Sequence, residues 1–314
     1  MSDPFVRDDV RMFLDFLKMA AAPPISELPA AEARAGYLQM GMLGEADKRK
    51  IALVQDLACP GPAGDIPLRL YDSRAARGPG PVLAFYHGGG FVIGDLDSHD
   101  SLCRELAAEL DLPVVAVDYR LAPEHPFPAA PDDCEAATRW LAESPAALGR
   151  EITGLIPIGD SAGGNLAIVV TQALADRPAK VPVVLQVPIY PAADEKEDHR
   201  SALDFAEGFV LTQDTIAWFM GHYAAEPGNP RAFPIHGSHG AMPPTVLVTA
   251  SLDPIRDSGR AYGAQLILAG SDVVFVEMKG TVHGFTNLRK AIPSAQEDLA
   301  QIVKAIRFML ERGK

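Results

Sequence analysis

The chain has 314 residues, 48% hydrophobic and 22% charged, with 41 acidic against 28 basic side chains and a formal net charge of −13. That composition excludes a wholly disordered or collagen-like chain, and the negative balance argues against nucleic acid or an anionic membrane surface as partner. The length fits one α/β core with an appended element, and no run of about 18 apolar residues suggests a membrane span.

The N-terminal "MSDPFVRDDVRMFLDF" carries charges where a secretion signal needs an apolar stretch, so a cytoplasmic soluble protein is expected. Residues 1–45 show amphipathic helical patterning, with Ser26 and Glu27 suited to a helix start. Next, "ALVQDLACPGPAGDIPLRLYD" reads as two strands around a Gly/Pro-rich turn, an antiparallel hairpin at a sheet edge. Apolar runs follow at 82–87, 114–119, 155–160, 183–190, 245–250 and 273–278, most without strict alternation. Strands covered on both faces read this way, and the helix-like segments between most of them imply βαβ crossovers and a mostly parallel sheet. Residues 191–235 interrupt that rhythm with the helix-like "TQDTIAWFMGHYAA" between polar and Pro/Gly-rich flanks. The expected division is therefore N-terminal cap helices at 1–45, an α/β core at 46–190 and 236–314, and an inserted cap segment at 191–235. Cys59, Cys103 and Cys134 have neither metal spacing nor an even count, which fits a reducing compartment.

The chemistry concentrates in "LIPIGDSAGGNLAIVV", 155–170, where a strand-like run meets a helix-like run through "GDSAG". This is the G-x-S-x-G pattern in strand–turn–helix context, and it makes Ser161 a candidate nucleophile. A serine hydroxyl needs a base, and the base needs an orienting acid. Among His199, His222, His236, His239 and His283, the last lies just beyond a strand-like run, where open α/β sheets bind ligands. Asp253 lies just past the run 245–250 and is preferred over Asp257, which lies one helical turn further on. "HGGG", 87–90, follows the strand 82–87 and offers bare amides at Gly88, Gly89 and Gly90 which, with the N–H of Ala162, would hold an oxyanion.

Together "HGGG" (87–90), "YRLAPEHPFPAA" (119–130), "GDSAGG" (159–164), "DPIRD" (253–257) and "HGF" (283–285) resemble the hormone-sensitive-lipase-like α/β-hydrolases, the bacterial family IV carboxylesterases. The resemblance covers nearly the whole chain. It implies an eight-stranded, mostly parallel sheet under a helical cap, with Ser161, Asp253 and His283 as triad and Gly88 to Gly90 with Ala162 as oxyanion region, Gly89 and Gly90 usually being the donors and the main chain of Gly88 lying close by. Asp160 is expected to make a structural hydrogen bond, and Arg120 and Glu124 to brace the glycine loop. Phe91, Phe209, Leu211 and Phe285 are candidates for an apolar acyl pocket and equally for the core. The expected activity is hydrolysis of short- to medium-chain carboxylic esters without metal or organic cofactor, on a small-molecule substrate, with a homodimer through the strand 273–278 as a further expectation. The alternatives are a small-molecule receptor on the same fold and an arylacetamide deacetylase or amidase.

Overall fold

The apolar runs become the strands of one eight-stranded sheet in the computed structural model, which describes residues 4–312. Two helices come first, α1 (Asp8–Ala20) and α2 (Ala30–Gly44). The hairpin β1 (Leu53–Gly61) and β2 (Gly64–Asp72) follows, then β3 (Gly80–Tyr86), α3 (Asp100–Leu110), β4 (Val114–Val117), α4 (Ala129–Ala142), β5 (Ile152–Asp160) and α5 (Ala162–Asp176). The remainder is β6 (Val187–Ile189), α6 (Arg200–Asp204), α7 (Gln213–Tyr223), β7 (Thr245–Leu252), α8 (Arg256–Leu268), β8 (Val273–Val282) and α9 (Ala295–Arg312). The strand order is β1-β2-β4-β3-β5-β6-β7-β8, with β2 antiparallel to both β1 and β4 and the other pairings parallel. This is the α/β-hydrolase architecture expected from the sequence.

Both faces of the sheet are covered, which explains the unbroken apolar runs. In β3, Leu83 and Phe85 enter one core cluster with α3 and α9, while Val82, Ala84 and Tyr86 enter another with α4 and α5. Each fully buried Leu, Val or Phe of this kind stabilises the fold by about 1.5–3 kcal/mol. The run 183–190 yields only a three-residue strand with isolated bridges at Val183 and Gln186. Pro188 stands in that strand without an N–H to give to the ladder.

The helix start expected at Ser26 and Glu27 is not observed. Those residues form a short 3-10 turn, and α2 begins after Pro29, whose carbonyl accepts from Glu32 and Ala33 N–H. The residue before a proline is pushed out of the helical region, and Leu28 accordingly lies extended at ψ 145°. The two N-terminal helices serve different places. Helix α1 buries Val10, Phe13 and Leu14 in the large core cluster, and Arg7 beside it pairs with Asp298 of α9 at 2.6 Å. Helix α2 instead meets α7 above the loop that follows β3, where Ala33, Val92, Ile93 and Ala122 are buried together with Tyr37, Trp218 and Phe219 packed against them.

Candidate active site

Strand β5 ends at Asp160 and α5 begins at Ala162, so Ser161 alone makes the turn, at φ 57°, ψ −118°. A non-glycine residue held there costs on the order of 1–3 kcal/mol, and the surrounding packing must enforce it. The flanking glycines show how. A Cβ on Gly163 would stand 1.9 Å from the Tyr86 carbonyl oxygen, and one on Gly159 2.4 Å from the same atom. The elbow is pressed against the end of β3, which is why small residues stand two before and two after the serine.

Residues far apart in the chain converge on that serine. The side chain of His283, just past β8, places Nε2 2.8 Å from Ser161 Oγ. Its Nδ1 lies 2.7 Å from Asp253 Oδ2, in the loop after β7. Asp253 is fully buried, and its other oxygen accepts Ile255 N–H at 2.9 Å. A carboxylate with only lone pairs to offer makes Nδ1 the protonated nitrogen of a neutral imidazole, leaving Nε2 free to accept the serine proton. Asp257 is occupied elsewhere, accepting from Arg256, Arg260 and Ser201 N–H. The remaining histidines also stand apart: His199 pairs with Asp194, His236 with Glu195, His222 packs edge-on against Trp218, and His239 lies by Tyr262.

The glycine loop lies opposite. Gly89 and Gly90 take positive φ, 117° and 58°, and among the described residues their N–H groups and that of Ala162 meet no protein acceptor. Gly88 is a correction to the sequence reading: its N–H donates to Asp160 Oδ1 at 2.9 Å and is spent. Asp160 thus makes the expected structural hydrogen bond. Burial pushes its carboxyl up, but His99 and the Gly88 N–H outweigh that and hold it below the usual carboxylate range. His87, stacked on Tyr119 at 4.2 Å, is pushed down to about 4 by burial and by the neighbouring His99.

Two further expectations are revised. Arg120 does not brace the glycine loop; it forms a two-pronged pair with Asp133 of α4. Glu124 does so indirectly, through Arg34 of α2, which also donates to the carbonyls of Val92 and Ala122. Phe91 and Phe285 do not line a pocket. Phe91 is buried and stacked on Tyr223 at 3.9 Å, and Phe285 is fully buried edge-on to Tyr190. Phe285 belongs to the core cluster that includes α3 and α9, and Phe91 to the one that includes α4 and α5. Phe209 and Leu211 are half-buried in the segment before α7, with Phe209 edge-on to Phe205. The aromatic that does approach the glycine loop is Phe219 of α7, whose Cγ lies 2.1 Å from where a Gly90 Cβ would be. The only sequence signal for it was the "AWF" run in the inserted helix. A cavity of about 490 Å³ lies behind the loop rather than over Ser161, lined by Arg34, Asp95, Asp118, Arg120 and Glu124 among others. Among the described residues no group of three or more His, Cys, Asp or Glu is arranged to hold a metal, and no helix is long and apolar enough to cross a membrane.

Comparison with known proteins shows the family to which the chain belongs. A family model described as alpha/beta hydrolase fold matches residues 83–287. The chain is similar to the carboxylic ester hydrolase LipN of Mycobacterium tuberculosis, 39% identical over 82% of this chain and 71% of that one. It is also similar to the ethyl acetate hydrolase of Pseudomonas putida, 37% identical over 90% and 91%. Among solved structures, an ester hydrolase from the metagenome of Lake Arreo, complexed with a bipyridine phosphonate derivative, superposes with a TM-score of 0.89 at 36% identity, covering 98% of this chain and all of that one.

Proposed function

We propose, for a chain that belongs to the alpha/beta hydrolase fold family in its hormone-sensitive-lipase-like branch and is a carboxylic ester hydrolase, that Ser161, His283 and Asp253 carry the reaction. The observation that carries this reading is the unbroken hydrogen-bond chain from Ser161 Oγ through His283 to buried Asp253. Ser161 gives its proton to His283 Nε2 as Oγ attacks the ester carbonyl, and Asp253 steadies the imidazolium that forms. The developing oxyanion falls to the free amides of Gly89, Gly90 and Ala162, each worth about 10²–10³ in rate when it is lost. His283 then protonates the departing alcohol, and water repeats the cycle on the acyl-enzyme.

Short- to medium-chain acyl esters are the proposed substrates, supported by the similarity to a hydrolase named for ethyl acetate and by Phe219 crowding the glycine loop. Within the expected cap segments 1–45 and 191–235, α2 and α7 are proposed to form the cap because they meet above that loop, whereas α1 packs into the core. A homodimer is proposed through β8, an edge strand with half-exposed Phe275, and sedimentation velocity tests it. Three buried, unbridged cysteines support placement in the cytoplasm. The deciding experiment is a panel of nitrophenyl esters from acetyl to dodecanoyl, assayed with the wild type and Ser161→Ala. Turnover should peak at short acyl chains and fall by several powers of ten in the variant; an unaltered rate in Ser161→Ala removes the serine mechanism.

A further inference from the structure

A buried histidine that the mechanism does not use stands directly behind the glycine loop. His99 is 1% exposed at the start of α3, with Nε2 3.1 Å from Asp160 Oδ1 and Nδ1 2.9 Å from Ser98 Oγ. Hydrogen-bond bookkeeping decides where its protons are. Ser98 donates its only hydroxyl proton to the Asp95 carbonyl at 2.8 Å and accepts Asp95 N–H at 2.9 Å. Toward His99 it therefore has only a lone pair, so Nδ1 must donate. On the opposite side, an ionised Asp160 lies 3.1 Å from Nε2 and offers only lone pairs, so a proton on Nε2 is what makes that contact attractive. The amide of Asn287 faces Nε2 at 2.7 Å through its nitrogen, while its oxygen is buried without a partner. Turning that amide over replaces a donor–donor clash with an acceptor facing Nε2–H.

We propose that His99 is a positioning residue for ester hydrolysis, held as an imidazolium that clamps Asp160 and, through the Asp160–Gly88 hydrogen bond, sets the glycine loop against the nucleophile elbow. The inference rests on the triad and oxyanion reading given above. Its physical content is charge balance. Asp160 immediately precedes the nucleophile, and an uncompensated buried carboxylate there would oppose the negative charge developing on the substrate carbonyl oxygen. The imidazolium cancels that field while leaving the carboxylate free to hold Gly88. The groups facing His99 come from every side: Asp160 from β5, Ser98 from its own loop, Asn287 from the turn after β8, Tyr37 from α2, and Phe85 and His87 from the end of β3. Glu45, paired with Arg289 at the end of α2, adds a second negative charge nearby.

The test compares His99→Gln, Asp160→Asn, the double variant and Ser161→Ala on one short-chain nitrophenyl ester. His99→Gln should lower kcat about ten- to a hundredfold with KM changed less than about threefold, since loop placement and charge act on the transition state. Adding Asp160→Asn should recover at least about tenfold, because a neutral amide needs no counter-charge while its oxygen still accepts Gly88 N–H. A double variant no better than His99→Gln overturns the proposal, as that is what a merely structural role gives. If Ser161→Ala stays active, the serine mechanism itself has failed; if it is inactive while His99→Gln keeps wild-type kcat, only the role of His99 has failed. Should a variant not fold, nitrogen-15 NMR of the wild type at pH 8 decides: two protonated ring nitrogens on His99 are expected, and one bare nitrogen overturns the proposal.

Discussion

Replacing Asp253 with Asn changes one atom pair and leaves the shape intact, so its effect isolates the role of the carboxylate. In the wild type Oδ1 accepts Ile255 N–H at 2.9 Å and Oδ2 faces His283 Nδ1 at 2.7 Å, with the side chain fully buried. An amide has one oxygen and must choose. With the oxygen kept on Ile255, its NH2 group faces Nδ1, the imidazole proton moves to Nε2, and the base has no lone pair for Ser161, 2.8 Å away. With the amide reversed, the tautomer survives, but two donors oppose each other at Ile255 in a buried site, at about 1–3 kcal/mol. That reversal alone depletes the working form about five- to 150-fold, since each 1.4 kcal/mol is a factor of ten. Losing the negative charge that steadies the imidazolium adds to it, for a combined fall in kcat of about 10³–10⁴. The assay is steady-state hydrolysis of nitrophenyl acetate, with circular dichroism and Tm confirming the fold. A fall smaller than tenfold refutes the reasoning, because it would mean that neither the tautomer nor the charge of Asp253 matters.

Gly163→Ala should lower Tm by about 5 °C or more, or prevent recovery of folded protein, because the new methyl meets the Tyr86 carbonyl at 1.9 Å; differential scanning calorimetry reads this, and an unchanged Tm refutes it. Phe219→Ala should raise kcat/KM for hexanoyl relative to acetyl esters about tenfold, since the ring over Gly90 takes up acyl space; no change in that ratio places the acyl chain elsewhere. Asp118 faces the cavity behind the loop, and burial, with Asp95 adding to it, pushes its carboxyl up to about 6. A carboxyl raised on folding destabilises the native state once it ionises, fully above about pH 6 and not at all below the unfolded value near 4. Asp118→Asn should therefore stabilise by about 1–2 kcal/mol at pH 8, after discounting for its partial exposure, and be neutral at pH 3.5; equal effects at both values contradict the assignment.

The strands, the elbow and the residues that meet at it were legible because each rests on a local constraint. The glycines around Ser161 and the Gly88–Gly90 run mark places where backbone must come close to something, and the runs ending near 160, 250 and 278 put their following loops at one edge of a parallel sheet. Legibility failed where the deciding partner was distant. That Gly88 spends its N–H on Asp160, 72 positions away, has no trace in the glycines themselves. Ser26 looked like a helix start until the extended residue before Pro29 moved the boundary.

What the order of residues determined alone was the fold, the order of the chemical groups along it and the strand ends that bring Ser161, Asp253 and His283 to one place. Only the tertiary structure decided which amides are free, that Phe91 and Phe285 belong to the core while Phe219 faces the loop, and that Arg120 pairs with Asp133. The physical reason is range. Sequence periodicity reports how a segment meets its immediate surroundings, whereas the direction of a single N–H or ring is set by whichever distant side chain packs against it.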